Sequence, residues 1–182
     1  MGCETLVRMR FLATVVLLCS LPTLAQQQPP AEKPCDEKAA RAQLEALKNG
    51  FDQFREAQLL GGRELKPSLN RMVGEHRELE QQYRKIAARQ CGAPSVDALV
   101  IVGRLYEEFA LKWIHAPIPE QLDAAQAEIF RSELAQRAVP LQAKARETWT
   151  EAVRKAKELG IADEFVGLAQ RRLTATAAPD AR

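Results

Sequence analysis

Apolar side chains fall at Ala40, Leu44, Leu47, Phe51 and Phe54, in alternating steps of four and three. That spacing lays them along one stripe of a helix, as in a heptad seam. Gly61-Gly62 predicts where the helix stops, since each glycine costs a helix interior about 1 kcal/mol. Around Lys66-Pro67, with proline tolerated in a first turn, the seam resumes. It runs through Leu65, Leu69, Met72, His76, Leu79, Tyr83 and Ile86 in the same steps. Two long amphipathic helices joined by a short turn bury their stripes on each other, so residues 36–90 are expected to form an antiparallel helical hairpin.

Cys91-Gly92-Ala93-Pro94 marks the end of the second helix, and Ser95 is placed to N-cap a third, from Val96 to about Ile114. Its apolar residues (Leu99, Val100, Val102, Leu105, Tyr106, Phe109 and Trp113) cover more than one face, which predicts a central helix with several neighbours. His115-Ala116-Pro117-Ile118-Pro119 then breaks it. From Glu120 to Leu159 a helical pattern runs through Leu122, Ala125, Ile129, Phe130, Leu134, Ala138, Leu141, Ala145, Trp149, Ala152, Ala156 and Leu159. Its phase persists across Pro140, which predicts one kinked helix rather than two. Gly160 ends it, Asp163 caps a short fifth helix with Phe165, Val166, Ala169 and Leu173, and residues 176–182 read as a disordered tail. No alternating β-branched run occurs, so the expected fold class is all-α, with a single helical domain over 36–175. The low aromatic content of 5% and the abundance of Ala, Leu, Glu, Gln, Arg and Lys fit that expectation.

The N-terminus reads differently. Arg8 and Arg10 supply a basic region, Phe11 to Leu18 an apolar one, and Pro22-Thr23-Leu24-Ala25 a cleavage site before Gln26. This is the pattern of a secretory signal peptide over 1–25, functional from Met1 or from Met9. The apolar run is shorter than the roughly 20 residues a membrane span needs. Leu17-Leu18 are bulky where a lipoprotein signal before Cys19 prefers small residues, and Leu6 stands where myristoylation of Gly2 requires Ser or Thr. Residues 26–35 are polar and proline-rich, an extended linker. The mature chain is therefore expected to be periplasmic or secreted, with no stable membrane insertion.

Charge narrows the partners. Lys and Arg number 26 against 24 Asp and Glu, a formal net charge of +2 with both signs mixed along the chain. Nucleic-acid binding needs a basic stripe with unmatched charge, so no nucleic-acid partner is expected. Only two histidines are present. His76 lies on the seam of the second helix, opposite Gly50-Phe51 in the expected hairpin, and reads as a core histidine that fixes register. A ligand or pH-responsive role is the alternative, though no carboxylate shares its stripe. His115 closes its helix, where a cation suits the carbonyl end. No nucleophile elbow, phosphate-binding loop, dinucleotide fingerprint or zinc-protease motif occurs, so no catalytic residue, metal or cofactor is expected and the chain reads as a non-enzyme. Trp113, Trp149, Tyr106 and Phe109 share helical faces and read as core.

Outside the signal two cysteines remain, Cys35 and Cys91, with neither redox nor zinc spacing. An even pair in an exported chain reads as a disulfide. Cys35 lies 26 residues before Gly61 and Cys91 lies 29 residues after Gly62. At 1.5 Å per helical residue the two arms differ by about 4–5 Å. The cysteines should therefore meet across the open end of the hairpin, within reach of the required Cα separation.

One resemblance bears on function. Leu105-Tyr106-Glu107-Glu108-Phe109, Ala116-Pro117-Ile118-Pro119, Phe130 with Leu134, Ala138-Val139-Pro140-Leu141, Ala145, Trp149, Ala152, Ala156 and Leu159-Gly160 follow one another along the chain. Together they make Tyr106 to Leu173 resemble the C-terminal helical region of exported myxobacterial tetratricopeptide-repeat proteins, several named for adventurous gliding motility. The resemblance implies a repeat-like array of about three helices over 95–174. It also implies a non-catalytic role in binding another envelope protein, as an accessory of a motility or envelope machine, with a helical face or the corner Pro117-Ile118-Pro119 as the expected contact. The other expectation is a periplasmic chaperone-like binder of unfolded or lipid-bearing clients, using a groove beside the hairpin.

Overall fold

Asp36 caps the first helix by accepting the Ala39 N–H at 2.9 Å. The computed structural model describes residues 35–177. In chain order these form α1 (Glu37–Glu56), a 3₁₀ turn (Gly62–Glu64), α2 (Leu65–Ala87), α3 (Ala93–Ile114), α4 (Ala124–Leu159) and α5 (Glu164–Ala177). The protein is all-α, with no strand among the described residues. The expected signal peptide, the Ala25–Gln26 cleavage site, the linker up to residue 34 and residues 178–182 of the tail lie outside the described residues. Helix α5 runs to Ala177, two residues into the expected tail.

Among the described helices α3 is the one whose backbone packs against all the others; α1 pairs with α2, and α4 with α5. Its sequence explains this. Val96, Leu99, Val100, Val102 and Leu105 are each exposed by 2% or less, so most of the first half of α3 is enclosed by its neighbours. The contact with α4 is the closest. At Gly103 an added Cβ would land inside the indole of Trp149. Buried Ala138, Ala145, Ala152 and Ala156 keep the rest of that face of α4 small. One core runs from Ala40 through Phe54, Tyr83 and Leu105 to Trp149 and Ala169.

Several boundaries differ from expectation, each for a local reason. Helix α1 ends at Glu56, before the glycines. The Lys112 ammonium of α3 donates to the Arg55 and Ala57 carbonyls at 2.9 and 2.5 Å, satisfying groups that a helix end leaves open. Leu59 then turns into the core, and Gly62 takes a φ of +60° in the turn. Ser95 is not an N-cap: α3 starts at Ala93, after Gly92 at φ +59°. Ser95 is buried within its first turn, where its hydroxyl accepts the Cys91 N–H at 2.7 Å and donates to the Ile86 carbonyl at 3.2 Å. Helix α4 starts at Ala124, because Asp123 and Gln126 form a reciprocal capping box. The expected α4 seam is corrected at Ala125, Ile129 and Leu159, which are exposed, while Ala127 is buried. Helix α4 is continuous through Pro140, which is exposed, as is Gln136 one turn before it. Gly160 closes it in the left-handed conformation, and Asp163 caps α5 by accepting the Val166 N–H at 3.0 Å.

Cys35 and Cys91 form a disulfide, with Cα atoms 5.3 Å apart and 56 positions of sequence between them. It ties the start of α1 to the segment after α2, while residues 57–64 join the other two ends. Removing both sulfurs with Cys35→Ser and Cys91→Ser should keep the helical circular dichroism yet cost about 4 kcal/mol, the loop-entropy value for a closure of this length. Urea melts of the variant and the oxidised parent measure the difference, and coincident midpoints would mean the bond contributes nothing.

Candidate functional site

Asp97, Ile101 and Arg104 stand four and three positions apart on α3, so they share one helical face. That face opens into a groove of about 640 Å³ with α1 and α5. Leu44 and Phe51 of α1, Tyr83 of α2, Ile101 of α3 and Phe165 of α5 form its apolar surface. Phe51 and Tyr83 are buried, while Phe165 at the rim is 36% exposed. Arg41, Glu45, Lys48, Asp52 and Arg55 of α1 line one wall.

Most of this charge is paired. Arg41 meets Glu37 at 3.0 Å, Lys48 meets Glu45 at 3.6 Å and Arg55 meets Asp52 at 3.2 Å, all along α1. The two charges of α3 are different. Asp97 is 6% exposed, and its Oδ1 is buried without a hydrogen-bond partner. Burial pushes its carboxyl up to about 6, helped by Asp163 and Glu37 and opposed by Arg41. The Arg104 guanidinium lies 5.0 Å from the Phe51 ring centroid and has no ion-pair partner within 4 Å among the described residues. Neighbouring Glu107 is instead bridged to Arg172 at 3.3 Å.

His76 lies on the other side of α3, in an aromatic cluster. Its ring centroid is 4.8 Å from that of Phe109, 4.9 Å from Tyr106 and 5.9 Å from Phe54. The expected neighbour Phe51 is replaced by Phe54, because α1 ends at Glu56 rather than at the glycines and the pairing with α2 shifts; Gly50 faces Leu79 instead. His76 is 6% exposed and its Nε2 has no partner. Burial lowers its pKa to about 4, against a smaller upward pull from Glu80. That carboxylate, one turn along α2, is a neighbour the seam pattern did not reveal. Burial pushes Glu80 up, but hydrogen bonds from Tyr106 at 2.6 Å and Arg84 at 2.7 Å outweigh it and hold the carboxyl below its usual range.

The remaining expected sites are scattered. Pro117, Ile118 and Pro119 are half-buried, and a side chain at Gly61 would press on Pro117 at 3.2 Å, so this corner braces the α1–α2 connection. His115 is exposed at the end of α3. Trp149 is core, and Trp113 is half-buried under the Arg137 guanidinium at 5.7 Å. No group of three metal-binding side chains stands together among the described residues. No helix among them is long and apolar enough to cross a membrane. Asp97 and Arg104 were missed by motif templates; their signal was an acid inside the apolar run Val96–Val102. No family model, curated protein or solved structure matches the chain.

The two buried titrating groups act against each other on stability. Unfolded His76 takes a proton near 6.5 and the folded one only near 4, so its contribution is complete above 6.5 and is lost as pH falls toward 4. Folded Asp97 takes its proton near 6 and the unfolded one near 3.8, so stability is gained over almost the same range. His76→Phe removes only the first effect. Relative to the parent it should gain stability as pH falls from 7 to 4, by up to about 3 kcal/mol. Urea melts at several pH values check this; a variant–parent difference independent of pH would show that His76 titrates normally.

Proposed function

We propose that this chain is a non-catalytic interaction module of the cell envelope, exported by its N-terminal signal, which docks a segment of a partner protein in the α1–α3–α5 groove. The observation that carries the reading is the groove itself: an apolar floor, a wall of charged side chains and two charges on α3 with no ion pair within 4 Å among the described residues. Recognition sites combine apolar area with a few placed polar groups in this way. The order of packing supports a repeat-like array, since α1, α3 and α5 adjoin in sequence and α2 and α4 fill the steps between them. The resemblance of Tyr106 to Leu173 to exported tetratricopeptide-repeat motility proteins points the same way, toward an accessory of a motility or envelope machine. The groove is favoured over the Pro117-Ile118-Pro119 corner as the docking face, because the corner residues are half-buried and Pro117 stands close to Gly61.

The chaperone-like reading draws on Ile129 and Val139 of α4, which are 62% and 56% exposed. The two readings separate by where contact occurs. With a photo-cross-linking residue at Leu44, native cells should yield one adduct of defined mass, and the same residue at Ile129 should yield none. A ladder of adducts at Ile129 would favour a chaperone-like binder, and the absence of any adduct at Leu44 would remove the docking reading.

A further inference from the structure

The face of α3 that looks into the groove carries an acid, an apolar residue and a base in that order, at Asp97, Ile101 and Arg104. The acid and the base are seven residues apart, about 10 Å along the helix and nearly on one line. The groove's other charged side chains are engaged elsewhere: Arg41 with Glu37, Lys48 with Glu45 and Arg55 with Asp52. Asp97 Oδ1 has no hydrogen-bond partner, and it belongs to a side chain that is 6% exposed. Arg104 leans on the Phe51 ring and has no ion pair within 4 Å among the described residues; Glu107, which feels its charge, is bridged to Arg172. A buried polar atom left unsatisfied is costly, and a ligand group that satisfies it recovers that cost.

Resting on the docking reading above, we infer that the groove takes an extended segment of a partner protein with the alternating pattern cation, any residue, apolar, any residue, carboxylate. The lysine or arginine of that segment meets Asp97, its apolar side chain lies over Ile101, and its aspartate or glutamate meets Arg104. In an extended chain every second side chain points the same way, at about 3.3 Å per residue. The first and fifth residues are then about 13 Å apart on one face, and flexible side chains close the difference from the spacing on α3. Binding is also linked to pH. Asp97 must be ionised to hold a cation, and burial pushes its carboxyl up to about 6, helped by Asp163 and Glu37 and opposed by Arg41.

The probe is the blocked peptide acetyl-Gly-Lys-Ser-Leu-Ser-Glu-Gly-amide, titrated into the isotope-labelled mature chain and followed by amide NMR shifts. Saturable shifts should centre on Leu44, Ile101 and Phe165. Replacing the peptide lysine by norleucine, or its glutamate by glutamine, should weaken the fit about tenfold, the effect of one charge-assisted contact. Asp97→Asn should become indifferent to the first replacement and Arg104→Gln to the second, the coupling a double-mutant cycle detects. Affinity should rise between pH 5 and 7.5 in the parent and not in Asp97→Asn. Equal binding of charged and neutral peptides, or no saturable shift at millimolar peptide, overturns the inference. An adduct at Leu44 in native cells that survives both substitutions would overturn this charge code while leaving the docking reading in place.

Discussion

The close approach of α3 and α4 at Gly103 sets the rest of the arrangement. The Trp149 indole occupies the space where any side chain at position 103 would lie. Trp149 is 1% exposed, so the ring is fully withdrawn from water. Burying an aromatic of that size is among the largest single contributions a core receives. It has a cost, since the indole N–H has no acceptor. With one side of α3 committed to α4 in this way, α1, α2 and α5 must share what remains of its surface.

That sharing makes a groove with fixed walls. Helix α1 is held at its start by the disulfide and at its end by Lys112, whose ammonium also lies 5.5 Å from the Phe54 ring centroid. Helix α2 is tied to α4 where Lys155 donates to the Ala87 carbonyl at 2.7 Å. Helix α5 is started by Asp163, one of the carboxylates that acts on Asp97. The groove is thus bounded by elements whose positions are set elsewhere in the molecule. Sites on such supports present their groups with little reorganisation on binding.

Much of this was legible in the chain because it is local. Asp163 and Gly160 are end signals whose partners lie within a turn, and the four-three spacing in both early helices is a property of neighbouring residues. Cys35 and Cys91 were legible too, since equal helical arms bring their ends together. What escaped depends on distant parts of the chain. Helix α1 stops at Glu56 because a lysine 56 positions further on takes its last carbonyls, and no local signal carries that. The same shift put His76 beside Phe54, Tyr106 and Phe109 rather than Phe51. Ser95 had the right chemistry for a cap, yet its hydroxyl serves the turn before the helix. Asp97 and Arg104 match no motif, and they become a pair only once the groove is seen to open on their face of α3.

Native-state hydrogen exchange along α3 tests the central claim most directly. If α3 is the shared wall that every other helix packs on, its amides from Val96 to Ala110 open only when the whole domain unfolds. They should then exchange together, at the free energy found by denaturant melting, while amides late in α5 exchange sooner. Exchange of the α3 amides ahead of those in α1 or α4 would contradict the account, because the groove would then have no fixed wall.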